Sequence, residues 1–289
     1  MEHFATEPPS CACGSNVRVR ALVHLLSLEL FGRSLVLRDF PTIKSIRGLG
    51  MTDNAGYATI LAEKFDYTNT YYDHPPRFDF TALHPELYGT YDFILSADVL
   101  EHVAPPVERA LEEICKLLRP AGFLAATVPC TRDDSMREHF PDLHEYRVVQ
   151  VGDSQVLVNR KPDGSVEVRE DLVFHEGPGA VLEMRQFGPT GLRQKLLAAG
   201  FREIDYLTSD WQTAGILFDD DVSQPLIARK EKFALSNEAQ CQLLESWERT
   251  MRRVHEAEDQ AATMAERARM ASESRWLRLG RLFGVGPVW

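Results

Sequence analysis

Two consecutive stretches decide the fold: Tyr91-Asp-Phe-Ile-Leu-Ser-Ala-Asp-Val-Leu-Glu-His-Val103, followed by Leu117-Leu-Arg-Pro-Ala-Gly-Phe-Leu-Ala-Ala-Thr-Val-Pro129. Tyr91–Ser96 reads as a strand of the fully buried type. Pro106 to Leu118 places apolar residues at helical spacing and is stopped by Arg119-Pro-Ala-Gly122, and Phe123–Val128 is a second continuous apolar strand. Strand, crossover helix and strand at this spacing imply a parallel sheet with helices on its faces.

Working outward, the pattern continues toward the N-terminus. Residues 1–17 are polar, carry a Pro-Pro pair and read as a loose lead-in. Arg18–Phe31 reads as a helix ended by Gly32, Thr42–Ile46 as a short strand running into Gly48-Leu-Gly50, and Tyr57–Lys64 as a helix. Tyr67–Tyr72 is rich in strand formers, and Arg77-Phe-Asp-Phe80 is a further short strand. Toward the C-terminus the period changes. Tyr146–Val151 and Gln155–Asn159 alternate, and Lys161-Pro-Asp-Gly164 is a turn signal, so an antiparallel hairpin is expected over about 146–175. Thr190–Ala199 reads as a helix, with Phe201–Leu207 and Pro225–Arg229 as the last strands, closing an α/β domain over 18–230.

Residues 231–289 form a helical extension. Leu244, Trp247, Met251, Val254, Ala261, Ala265 and Ala268 follow a 3/4 spacing interrupted by Glu258, a coiled-coil-like stripe. The stretch 275–289 interleaves Arg275, Arg278 and Arg281 with large apolar residues, a pattern that suits either an anionic membrane surface or a protein partner.

The 289 residues are 44% hydrophobic and 26% charged, which fits a globular chain and excludes disorder throughout. With 32 basic against 43 acidic residues the net charge is −11, so nucleic acid is not an expected partner. Five cysteines are an odd and sparse set, not a disulfide framework, and Cys11-Ala-Cys13 is too closely spaced for a zinc half-site; no metal is expected. The N-terminus lacks a basic start and apolar run, and no stretch approaches the roughly 20 apolar residues of a spanning helix. A cytoplasmic location is expected, with peripheral contact at the inner membrane face through 275–289 as an alternative use of the tail.

At Tyr91–Val103 and Leu117–Pro129 the sequence resembles class I S-adenosylmethionine-dependent methyltransferases. More narrowly it is similar to their type 11 group, in which a V-L-E-H helix start follows the fourth strand and an R-x-L-K-P-G-G turn precedes the fifth. Arg185-Gln-Phe187 and Leu196-Leu-Ala-Ala-Gly-Phe201 match that group's R-x-F and L-x-x-A-G-F segment. The resemblance covers roughly residues 18 to 230. It implies a Rossmann-like sheet, mostly parallel with the last strand antiparallel, carrying the inserted hairpin and a long C-terminal helix, and it implies S-adenosyl-L-methionine as cofactor.

In an open parallel sheet, ligands bind beyond the carboxyl ends of the strands. Gly48 and Gly50 are expected in the turn after the first strand, where backbone N–H groups approach a ligand. The family pattern of an acid and then G-x-G-x-G is altered, with Ile46 at the acidic position, Thr52 at the third glycine and Asp53 just beyond. A lone G-x-G is more often only a tight turn without a ligand. Asn69 is the best-placed polar group for a ribose and Asp73 the nearest acid. By resemblance Asp79 would accept from an adenine amino group and Phe80 would cover the ring; a turn cap is the alternative for Asp79. Ser96, Asp98, Glu101 and His102 follow the fourth strand, where donor and acceptor should meet. His102 is the candidate base, with Asp98 beside it, while a helix-starting role suits the same Glu-His pair. His175 and Glu176 in Phe174-His-Glu-Gly-Pro-Gly179, with Arg185, are candidate acceptor contacts. Arg18 and Arg20 either reach a donor carboxylate or stay solvated.

The leading expectation is O-methylation of a sugar or polysaccharide precursor, on similarity to bacterial surface-glycan methyltransferases with a comparable S-R-W-x-R-L-G-R tail. A small-molecule methyltransferase of secondary metabolism, or a methyltransferase-like scaffold acting through its helical tail, are the alternatives. A second copy of the chain is the expected partner of 231–274.

Overall fold

The structure, a computed structural model, describes residues 15–131, 134–174, 181–218, 223–274, 279–280 and 282–283. The expected site residues His175 and Glu176 and the Cys11/Cys13 pair lie outside the described residues, as does most of the 275–289 tail.

Helix α1 (Val17–Phe31) begins where the Asn16 side chain accepts the Val19 N–H at 2.9 Å, and ends at Gly32, whose φ of 67° is open to a residue without Cβ. Strand β1 (Arg47–Met51), helix α2 (Ala55–Lys64), strand β2 (Asp66–Thr70), strand β3 (Tyr91–Ala97), helix α3 (Val107–Leu117) and strand β4 (Leu118–Val128) follow. After the short strand β5 (Arg137–Glu138) come β6 (Glu145–Val151), β7 (Ser154–Arg160) and β8 (Val166–Arg169), then the short strand β9 (Arg185–Gln186). Helix α4 (Pro189–Ala198), strands β10 (Glu203–Tyr206) and β11 (Gln224–Arg229) and helix α5 (Asn237–Glu273) complete the described elements.

One six-stranded sheet runs in the order β10-β11-β4-β3-β1-β2. β2, β1, β3 and β4 are parallel to their neighbours, while β11 is antiparallel to β4 and β10 to β11. This is the Rossmann-like, mostly parallel sheet with an antiparallel end implied by the resemblance. Leu49, Phe93, Ile94, Leu124 and Ala126 are buried along the central strands, as continuous apolar runs require when helices cover both faces. Helix α3 packs Leu111, Ile114 and Leu117 into the same core; its buried Glu113 accepts the His84 backbone N–H at 2.6 Å and the Tyr88 hydroxyl at 2.9 Å.

Three sequence expectations change. The first strand is not Thr42–Ile46 but Arg47–Met51, so Gly48 and Gly50 are strand residues and not a turn. Glycine is needed there because a Cβ on Gly48 would collide with the Phe93 ring, and one on Gly50 with the Tyr67 hydroxyl and the Asp53 carboxylate. Arg77–Phe80 is not a strand: only Arg77 forms a bridge, to Tyr71. The inserted hairpin is a three-stranded antiparallel sheet, β6-β7-β8, over a small core of Phe140, Leu157, Leu182 and Met184.

Two compact units divide the described chain, the first reaching Ala239 and the second beginning at Gln240. Helix α5 is 37 residues long and leaves Leu244, Trp247 and Val254 exposed, the face assigned above to self-association. No helix among the described residues is long and apolar enough to cross a membrane.

Candidate active site

Beyond the carboxyl ends of β1, β2 and β3 lies a cavity of about 880 Å³. Its size falls in the range of roughly 300–1,000 Å³ usual for small-molecule clefts. Met51 and Thr52 come from the end of β1, Thr70 and Tyr71 from β2, and Ala97 and Asp98 from β3. Phe78–Thr81 form one side, and Tyr146, Val148, Leu182 and Met184 bring the inserted sheet and its underlying core to the other. Thr52 (φ 58°) and Asp98 (φ 52°) both adopt the left-handed region, which non-glycine residues enter only when their surroundings hold them there. Each turns the chain off its strand at the cavity edge.

The two turns are held differently. After β1, Asp53 is buried and accepts hydrogen bonds from the hydroxyls of Tyr57 (2.5 Å) and Tyr67. Burial pushes its carboxyl up to about 6 against the pull of both tyrosines. Asn69 Oδ1 accepts the Asp53 N–H at 2.8 Å and its amide donates to the Asp53 carbonyl at 2.8 Å, tying β2 to the turn. Neither Asp53 nor Asn69 reaches the cavity wall, and neither do Gly48, Gly50 or the fully buried Ser96. These five expected cofactor contacts sit in the architecture beneath the cavity.

After β3, Asp98 collects Thr127 Oγ1 (2.7 Å), Ser223 Oγ (2.6 Å) and the Arg18 guanidinium. Arg18 is therefore neither a solvated helix charge nor free for a donor carboxylate; it closes the wall with Asp98. His102 lines the cavity and places Nδ1 3.0 Å from the Leu182 carbonyl. A carbonyl only accepts, so Nδ1 carries the proton and the neutral ring has its lone pair on Nε2.

Asp79 and Phe80, the residues the resemblance assigns to an adenine, line the cavity. Asp79 Oδ1 accepts from Thr81 N–H (2.8 Å) and Oγ1 (2.7 Å), which orients the carboxylate as a turn cap and at the cavity at once. Phe80 is held by Phe78, whose ring stacks on His84 at 4.1 Å. Asp73 also lines the wall, its carboxyl held below the usual range by the hydrogen bond from His74.

Arg185 is not at the cavity. It is fully buried, donating to Glu138 Oε1 at 2.7 Å and to the Leu100 carbonyl at 2.8 Å, so it bolts the turn after β3 to β5. The expected acceptor contact is a structural tie: Nε and Nη1 are spent on Glu138 and the Leu100 carbonyl, away from the cavity wall. Sequence reading missed Thr52, Thr70, Tyr71, Tyr72, Tyr146 and Met184 as wall residues. The signal available was Tyr71-Tyr72 at the end of a strand, where side chains leave the sheet and face a ligand.

A mostly parallel sheet with a ligand-sized crevice over its carboxyl edge, bordered by two left-handed turns, is the arrangement in which open α/β domains bind ligands. A profile described as a methyltransferase domain matches residues 43–201, more than half of the chain, and the chain belongs to that family: it is a methyltransferase. No curated protein matches it. Among solved structures it is similar to the Burkholderia thailandensis 1,6-didemethyltoxoflavin N1-methyltransferase bound to its substrate and S-adenosylhomocysteine, at 17% identity over 77% of this chain and 79% of that one, TM-score 0.41. It is also similar to an S-adenosylmethionine-dependent methyltransferase of Clostridium acetobutylicum, at 9% identity over 73% and 90%, TM-score 0.42, and to one of Mesorhizobium loti, at 12% over 67% and 95%, TM-score 0.38.

Proposed function

We propose that this methyltransferase moves a methyl group from S-adenosyl-L-methionine to a hydroxyl of a sugar or polysaccharide precursor. The observation that carries the reading is the two-sided cavity: one wall is the carboxyl edge of the sheet with Asp79 and Phe80, the other is the inserted sheet with Tyr146 and Val148. The residues fit the donor. Asp79 would accept from the adenine amino group, Phe80 would cover the ring, Asp73 stands on the ribose side, and Ala97 leaves room above β3 for the sulfonium end. When bound, the donor supplies an electrophilic methyl carbon on a positively charged sulfur.

The chain's own part is placement and one proton. Methyl transfer depends mainly on proximity and in-line orientation. The wall made by Arg18 and Asp98 holds the end of β3 rigid, while the inserted sheet covers the acceptor and excludes water. His102, its tautomer set by the Leu182 carbonyl, receives the hydroxyl proton at Nε2. Tyr72 and Tyr146 present flat apolar faces with hydroxyl rims, which suits a sugar ring with one apolar and several polar edges. The test is transfer of labelled methyl from S-adenosylmethionine to nucleotide-activated sugars and oligosaccharides, set beside phenolic and polyketide-like acceptors. Label in the sugar set supports the reading; label confined to aromatic acceptors replaces it with small-molecule metabolism.

A further inference from the structure

Glu101 is a buried acid for which neither the fold nor the transfer step has a use. It sits in the 3-10 turn Leu100–His102 with no solvent exposure. Its backbone carbonyl accepts the Met184 N–H at 2.8 Å, but neither carboxyl oxygen has a hydrogen-bond partner among the described residues. A buried carboxyl left in this state costs stability unless it does something else.

Its surroundings narrow what that is. Asp98 faces it from the end of β3, Glu183 from the segment before β9, Cys130 from beyond β4 and Arg18 from α1, while His139 reaches Glu183 with Nε2 3.1 Å from Oε1. The Arg18 charge is engaged by Asp98, so the neighbourhood does not favour another anion. Burial first, and then Asp98, push the Glu101 carboxyl well above the usual range. The basic nitrogen beside it is His102 Nε2, 3.7 Å from Glu101 Oε1, which by the Leu182 contact carries the ring's lone pair.

We propose that Glu101 is a positioning residue for His102: the two side chains, 3.7 Å apart at Oε1 and Nε2, hold one proton as a coupled pair in the resting enzyme, on one group or the other, and must release it before His102 can act. The inference rests on His102 as the base of the transfer step. Release sends one proton to solvent and leaves Glu101 as carboxylate and His102 neutral. In the transfer itself the acceptor O–H proton passes to Nε2 while the oxygen–carbon bond forms, the carbon–sulfur bond breaks and its electron pair stays on sulfur. The resulting imidazolium faces the Glu101 carboxylate, which stabilises it. Such a pair titrates as a unit, at a pH that belongs to neither residue alone.

The experiment combines a pH profile of kcat/KM with nitrogen-15 NMR titration of His102 in the full chain without ligands, its signal assigned by loss in His102→Asn. Wild type should show an acidic limb well above the ordinary imidazole range near 6.5, with an Nε2 resonance intermediate between protonated and bare nitrogen. Glu101→Gln should move the limb down by at least about one pH unit, lower the plateau about tenfold and shift the NMR titration the same way; Glu101→Asp should recover part of each. A limb and a His102 titration at the same pH in wild type and Glu101→Gln would overturn the pairing. So would a wild-type Nε2 resonance that stays that of a bare nitrogen from pH 5 to 9, whether or not Glu101→Gln folds. Should methyl transfer be absent altogether, the transfer reading fails, and the ligand-free NMR still decides the pair.

Discussion

The turns after β1 and β3 start alike, each with a non-glycine residue in the left-handed region, yet they end differently. Around Asp53 every polar group finds a partner inside the protein: Tyr57, Tyr67 and Asn69 satisfy it, and the cluster stays behind the cavity wall. Around Glu101 the accounting does not close, because a fully buried carboxyl without a hydrogen bond lies next to a cavity-lining histidine. The difference teaches how to separate architecture from chemistry in this fold. The Asp53 cluster holds the ends of β1 and β2 in place, whereas the unpartnered Glu101 carboxyl stands beside a histidine of the cavity wall.

The sharpest break in that contrast comes from His102→Ala. It should lower kcat by about a thousandfold, about 4 kcal/mol of barrier, with donor binding by calorimetry unchanged. A loss under about fivefold would remove His102 from the chemistry and leave the β3 turn as structural as the β1 turn. Gly50→Ala should act on the other side of the comparison, costing about 3 kcal/mol in urea unfolding, because the Tyr67 hydroxyl and Asp53 carboxylate leave no space for Cβ. Unchanged stability would mean that the β1 cluster is loose.

Asp53→Asn sharpens the contrast through pH. The folded carboxyl titrates at about 6, against roughly 3.9 unfolded, so the native state holds the proton more tightly. That contribution is fully present below about pH 4 and lost as pH rises through about 6. Stability measured from pH 4 to 7 should therefore fall more steeply in wild type than in Asp53→Asn, the gap changing by about 2 kcal/mol in favour of the variant. Parallel curves would contradict the burial account. Asp79→Asn should produce the smallest effect, a donor affinity weaker by about tenfold, about 1.4 kcal/mol, with stability held because Oδ1 keeps its two bonds from Thr81.

The reading of the fold from sequence was carried by β3, α3 and β4, whose unbroken apolar runs and intervening amphipathic helix have few other interpretations. β1 was misplaced because its glycines mimic a turn: Gly48 and Gly50 are there for the aromatic rings of Phe93 and Tyr67, which arrive from neighbouring strands and leave no local signal. Arg77–Phe80 looked like a strand because Phe78 and Phe80 alternate, but the two rings pack on each other and Phe78 stacks on His84. At the wall, Asp98 and His102 were legible because the motif directly follows β3, and Asp79 and Phe80 from the resemblance alone, since no strand ends there. Arg185 was misread for a physical reason: a charged residue in a matching motif looks like a ligand contact until its burial and its bonds to Glu138 and Leu100 are seen. Tyr146 was invisible as a wall residue because it is joined to the sheet edge by the inserted β6 and not by sequence proximity.

The most direct test of the central claim, that the crevice over β1–β3 is the methyl-donor site, is a crystal structure of the full chain with S-adenosylhomocysteine. The account predicts the nucleoside against Asp79 and Phe80, with the sulfur above Ala97 on the His102 side. A ligand bound elsewhere on the protein, or crystals grown at saturating ligand with this crevice vacant, would contradict it.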